Sequence, residues 1–160
     1  DSSGENLITD NDRKLIQGYL TSIEQWTLFE IDVFSNCLEA LSLKEAYYLG
    51  LEMLDCDELS NLLYSHADVV KRTLVNLYVH MVCNEQYTRA NRIKNELEEL
   101  LDAWDMEGKI IVSIFETFSK FKQEKSSELF EEIQSDIQVL KKFGIVDLAK
   151  RIEMFMAKEH

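Results

Sequence analysis

A chain of 160 residues, 46% apolar and 10% aromatic, is long enough to bury a core and too apolar to be disordered. It has no proline and only five glycines, which excludes a turn-rich β-sandwich or barrel and predicts helices joined by short polar links. Its net charge of −13 excludes broad binding of nucleic-acid phosphate by counterion release.

Residues 1–9 read as a flexible lead-in, and Asp10, Asn11 and Asp12 offer N-caps to a first helix. Ile16, Tyr19, Ile23 and Trp26 then step at helical spacing, as do Ile31, Phe34, Leu38 and Leu41. The jump from Trp26 to Ile31 breaks the phase, so one helix bends near 27–30 or two helices meet there. Ser42 followed by Glu45 is a capping box, which starts a new helix at Leu43 that runs through Leu54. Asp55 to Glu58 form an acidic turn. Leu59, Leu62 and Leu63 open the next apolar run, and Val70, Leu74, Leu77 and Met81 mark a further stripe toward Cys83.

Ala90, Ile93, Leu97, Leu100 and Trp104 give the clearest helical period in the chain, ended by Glu107-Gly108. From Lys109 to Lys122, Ile111, Phe115 and Phe118 keep helical steps, although the opening Ile-Ile-Val has β propensity. Ser126 or Ser127 caps the next helix, with Phe130, Ile133, Ile137 and Leu140 in phase and Gly144 at its C-terminus. Asp147 caps the last, built on Leu148, Ile152 and Phe155. The expected fold is all-α: a compact bundle of stacked antiparallel hairpins, about seven to nine helices, forming one domain over residues 10–160.

Charge is spread unevenly. Residues 1–70 carry 14 acids against three bases, whereas residues 71–160 carry 16 against 14. The late bases, Lys120, Lys122 and Lys125 and then Lys141, Lys142, Lys150 and Arg151, read as a solvated face rather than a nucleic-acid site. Three cysteines, Cys37, Cys56 and Cys83, are an odd set lying in or beside apolar helical patterns. They read as buried thiols of a reducing, cytoplasmic compartment, with a secreted chain as the alternative. No run approaches the ~18 apolar residues of a membrane span. Asp1 stands where an initiator methionine would, so the sequence reads as a processed form or a piece of a longer protein.

Catalytic patterns are missing from the sequence. There is no Gly-x-Ser-x-Gly, no glycine-rich phosphate loop and no pair of Glu-x-x-His motifs. His80-x-x-Cys83, with Cys56 and His66 upstream, has the donor types for zinc, yet core or boundary packing explains each of the four. No catalytic residue, cofactor, metal or small-molecule substrate is therefore assigned, and the chain is not expected to be an enzyme.

The aromatic residues point to binding instead. Trp26, Trp104, Phe115, Phe118 and Phe121 fall on apolar stripes and read as core. Tyr47 and Tyr48 are adjacent, so on a helix they face different ways. Leu49 and Leu51 flank Gly50, and Leu62, Leu63 and Tyr64 run together. Helices this apolar around their circumference are buried on two sides, within the monomer or against a partner. Tyr47, Tyr48, Leu51, Leu62 and Tyr64 are thus the expected contacts of a protein partner or homodimer.

Between Lys109 and Phe143, the Ile-Val-Ser at 111–113, the phenylalanines at 115, 118 and 121, and Glu132-Ile133 with Asp136 resemble the central helices of interferon-gamma. That likeness covers under a quarter of the chain and implies a secreted helical ligand. The composition and the apolar helices favour a non-catalytic helical interaction or dimerisation domain, an adaptor or assembly module of a larger regulatory protein; the cytokine-type ligand is the alternative.

Overall fold

In the computed structural model the described residues are 8–159, and among them there are eight α-helices and no strand. The lead-in expected over residues 1–9 falls outside the described residues up to residue 7. The helices are α1 (Asp10–Thr21), α2 (Leu28–Asn36), α3 (Leu43–Leu54), α4 (Leu59–Cys83), α5 (Tyr87–Leu100), α6 (Met106–Glu124), α7 (Ser127–Lys142) and α8 (Val146–Glu159). A 3-10 turn, Leu38–Ala40, links α2 to α3. The fold is all-α, as composition requires. It forms two compact units, one ending at Gly108 and the other starting at Lys109.

In the first unit α4 is central, packing against α5, α2 and α3. Val70, Leu74, Leu77, Tyr78 and Met81 lie on its buried stripe, with Leu74, Leu77 and Met81 wholly inaccessible. The helix leaves ideal geometry at His66 (φ −141°, ψ 41°), the kink between its first apolar run and this stripe. Local chemistry sets the ends of the helices around it. α1 is capped by Thr9 rather than by Asp10, Asn11 or Asp12: Thr9 Oγ1 accepts from the Asp12 N–H, and the Asp12 carboxylate accepts from the Thr9 N–H, each at 3.1 Å. α1 then stops at Thr21, so Trp26 lies in the link before α2. It is still core, edge-on to Phe34 with ring centroids 5.8 Å apart. Two helices therefore meet across this phase break.

The largest departure from expectation lies after α5. The 3-4 period carries on to Trp104, but α5 ends at Leu100 and α6 starts at Met106, which places Gly108 inside a helix. Asp102 Oδ1 accepts from the Trp104 N–H at 2.8 Å, and the Asp102 N–H donates to Asp105 Oδ2 at 2.8 Å. These aspartates give the backbone a local alternative to the helical ladder. Trp104, expected in the core, is consequently 92% exposed.

The second unit holds the rest of α6 with α7 and α8, and α7 packs on α8. The Ile-Ile-Val opening adopts helix despite its β propensity. Phe115 meets Phe118 and Phe155 edge-on, with centroids 5.7 Å apart in both pairs. Ser126 caps α7, and Gly144 closes it at φ +79°, with Gly144 N–H on Lys141 O and Ile145 N–H on Leu140 O. Asp147 does not cap α8 but sits in its first turn, two residues after the N-cap position at Ile145. No helix among the described residues is long and apolar enough to cross a membrane.

Candidate functional site

Three of the five sequence-expected contacts, Tyr47, Tyr48 and Leu51, lie on α3, and its first turn explains why that helix is well fixed. Ser42 Oγ accepts from the Glu45 N–H, while Glu45 Oε1 accepts from the Ser42 N–H, each at 3.0 Å. Ala46, Leu49, Gly50 and Met53 form its buried face. A Cβ built at Gly50 would stand 2.4 Å from Leu77 Cδ2, so only glycine allows α4 to approach this closely.

The outward face carries Lys44, Tyr48, Leu51, Glu52 and Asp55, spaced so that they neighbour one another along the helix. Two clefts flank it. One, of about 390 Å³, lies toward α5 and is lined by Tyr48, Leu51, Glu52, Asp55, Arg92 and Glu96 among others. The other, of about 350 Å³, lies toward α1 and is lined by Thr21, Lys44, Glu45, Tyr48, Leu49 and Glu52. Tyr48 and Glu52 are common to both. Tyr48 is 50% exposed and packs edge-on against Tyr47, centroids 5.1 Å apart. Tyr47 is half-buried beneath the Arg89 guanidinium, 5.5 Å from its ring centroid. A ring packed edge-on against a ring that is itself clamped loses little freedom on contact, which suits an anchor.

The electrostatics of the face are lopsided. Glu45, Glu52, Asp55 and Glu96 line the clefts against Lys44 and Arg92. Arg92 is already turned onto Glu96, Nε to Oε1 at 3.3 Å. A bound group would meet an apolar ridge between carboxylates.

Of the five expected contacts, Tyr47, Tyr48 and Leu51 come together here. Leu62 is only 6% exposed, and Tyr64, near the start of α4, is 93% exposed; neither lines the two clefts. Sequence reading missed Arg89, Arg92 and Glu96, which α5 brings across from some forty residues away. Their one sequence signal was the Arg92–Glu96 pair at i, i+4 on the polar face of α5.

A third cleft, of about 240 Å³ in the second unit, is lined by Lys109, Ile110, Ser113, Ile114, Asp136 and Val139 among others. Burial, reinforced by nearby Glu132, pushes the Asp136 carboxyl up from its ordinary value. Among the described residues, no three His, Cys, Asp or Glu side chains are grouped to hold a metal ion, and no disulfide joins the three cysteines.

The family model described as HTH-type transcriptional regulator Rgg, C-terminal domain, matches residues 1–154. Among solved structures, the chain is similar to the Streptococcus dysgalactiae SHP pheromone receptor Rgg2, with a TM-score of 0.74 and 18% identity over 95% of this chain and 57% of that one. It is equally similar to a candidate transcriptional regulator from Listeria monocytogenes EGD-e, with a TM-score of 0.74 and 19% identity over 95% of this chain and 54% of that one. The chain thus spans a little over half the length of these structures. No curated protein matches it.

Proposed function

Because the chain belongs to the family of C-terminal domains of Rgg HTH-type transcriptional regulators, we propose that it is the non-catalytic sensing part of such a regulator, and that the outer face of α3 receives a short peptide signal. The cytokine-type alternative is corrected by the family match, which spans residues 1–154 where the interferon-like segment covered fewer than forty. Rgg2 of S. dysgalactiae is a pheromone receptor by name; the same class of role is proposed here.

One observation carries the reading. Tyr48 stands half-exposed between two clefts whose carboxylates outnumber their bases. That arrangement suits a peptide with apolar side chains for the ridge and cationic ones for the flanks. It disfavours a second copy docking through the same face, since an isologous contact would bring two copies of one carboxylate-rich surface together. Tyr48 and Leu51 are proposed as direct contacts and Tyr47 as the support behind Tyr48. Tyr64, 93% exposed, is proposed as part of the wider partner surface, whereas Leu62, buried on α4, is core rather than a contact. The working unit is the single helical domain over residues 10–160.

The test uses two labelled octapeptides, one of leucine and lysine and one with glutamate for each lysine. Fluorescence anisotropy is expected to show binding of the cationic peptide alone. Tyr48→Ala and Glu52→Lys should each weaken it about tenfold, whereas Glu131→Lys, on α7 in the second unit, should leave it unchanged. Equal weakening by all three reversals and truncations would reduce the effect to bulk charge and overturn the reading.

A further inference from the structure

The cleft between α6 and α7 carries chemistry that the α3 surface does not use. Every residue lining it lies in the second unit. Only Lys125 and Ser126 join the two helices, so they run antiparallel and form the two sides of the cleft. On α6, Lys109 and Ser113 stand one turn apart, as do Ile110 and Ile114 beside them. On α7, Asp136 stands one turn from Val139 and Leu140. Ile114 and Leu140 are each 2% exposed and make the floor, whereas Val139, 51% exposed, is an apolar wall left to water.

Size and charge narrow the occupant. The volume is about 240 Å³, below the ~300–1,000 Å³ of clefts that hold drug-sized ligands. At ~30 Å³ for each water of the liquid, it holds about eight waters, or one small metabolite in their place. The Lys109 ammonium and the Asp136 carboxylate both line it, and among the described residues neither makes an ion pair. A purely anionic ligand would meet Asp136 and a purely cationic one Lys109, so a ligand bearing both charges is matched best. Burial and the neighbouring Glu132 make an ionised Asp136 costly, a cost that a ligand ammonium relieves. The isoleucines, Val139 and Leu140 give a polar ligand body, such as a sugar, nothing to bond.

We infer that this cleft binds a free amino acid with an apolar side chain. Its carboxylate pairs with Lys109, its ammonium with Asp136, and its side chain covers Val139 and Leu140. The α3 clefts belong to the first unit, so the inference does not depend on the peptide reading.

The experiment is calorimetric titration of the whole chain with L-leucine, with isoamylamine (leucine without its carboxylate) and with isocaproate (leucine without its ammonium). Leucine is expected to saturate one site, and each analogue to bind about fivefold more weakly. Glycine, which has the charges but no side chain, should not bind. Lys109→Met should weaken leucine and isocaproate about fivefold and leave isoamylamine unchanged. Asp136→Asn should weaken leucine and isoamylamine and leave isocaproate unchanged. Both substitutions lie outside the core, and an unaltered helical circular dichroism spectrum checks that each variant is folded. Saturation-transfer NMR should place the leucine methyl groups against the protein, and Tyr48→Ala should not change this. No saturable binding of leucine, equal binding of glycine, or equal weakening of all three ligands by both substitutions would each overturn the inference.

Discussion

The Lys71 ammonium and the Asp105 carboxylate lie 2.7 Å apart, tying the middle of α4 to the loop between α5 and α6. The hydrogen bond from Lys71 is the main reason the Asp105 carboxyl is held below its ordinary value, and the same bond holds the Lys71 ammonium above its own. For a depressed carboxyl, the stabilisation is present above the unfolded pKa of about 4 and is lost as pH falls through the lower folded value. For a raised ammonium it is present below about 10.4 and lost as pH climbs through the higher folded value. Lys71→Met should therefore cost about 0.5–1 kcal/mol at neutral pH, since solvent screens much of the pair. Urea unfolding should show the gap from the unsubstituted chain closing as pH drops below about 4. A gap independent of pH would show that the lysine acts through packing alone.

Much of this arrangement was legible in the sequence, and the parts that were not share a cause. The Ser42–Glu45 box and the turn at Gly144 are local devices, and both stand where their residues place them. Trp104 was misread because its spacing continues the α5 stripe while Asp102 and Asp105 stop the helix four residues earlier. The end of α1 was misread in the same way, since Trp26 keeps helical phase from outside the helix. The kink at His66 has no proline or glycine to announce it. Tyr48 and Leu51 were visible as an apolar excess, whereas the α5 side of their cleft depends on tertiary packing that no local pattern encodes.

Two helical glycines, Gly50 in α3 and Gly18 in α1, should respond to alanine with opposite signs. Gly50→Ala drives a methyl into Leu77, which is wholly buried, and should destabilise by about 1–3 kcal/mol. Gly18 lies within α1, and a Cβ there would meet nothing within 4 Å. Gly18→Ala should accordingly stabilise by about 0.5–1 kcal/mol through helix propensity. Chemical denaturation of both variants decides the pair; a neutral Gly50→Ala would contradict the close approach.

His80 predicts an acid-side loss of stability. Burial holds its imidazole below the ordinary value, opposed by Glu39, whose Oε1 lies 3.6 Å from Nδ1. Its Nε2 is buried without a hydrogen-bond partner. The unfolded chain therefore takes up the proton first, and stability falls as pH drops below about 6.5 toward the lower folded value. His80→Leu should flatten the change in unfolding midpoint between about pH 7.5 and pH 5.5. An unchanged slope would assign the acid sensitivity to the carboxylates.

The cysteines should be slow to react while the chain is folded. Burial pushes the Cys37 and Cys56 thiols up from their ordinary values, which reduces the reactive thiolate at neutral pH. Alkylation in denaturant without prior reduction should modify Cys37, Cys56 and Cys83 alike. Fast labelling of Cys37 or Cys56 in the native protein would contradict this account.

The most direct test of the central claim is hydrogen–deuterium exchange of the whole chain with and without the leucine–lysine octapeptide. Binding at the α3 face predicts added protection in Leu43–Leu54 and on the α5 segment that carries Arg92 and Glu96, with Tyr48→Ala abolishing it. Protection confined to α7 and α8, or none under conditions where the peptide is bound, would contradict the assignment of α3 as the sensing surface.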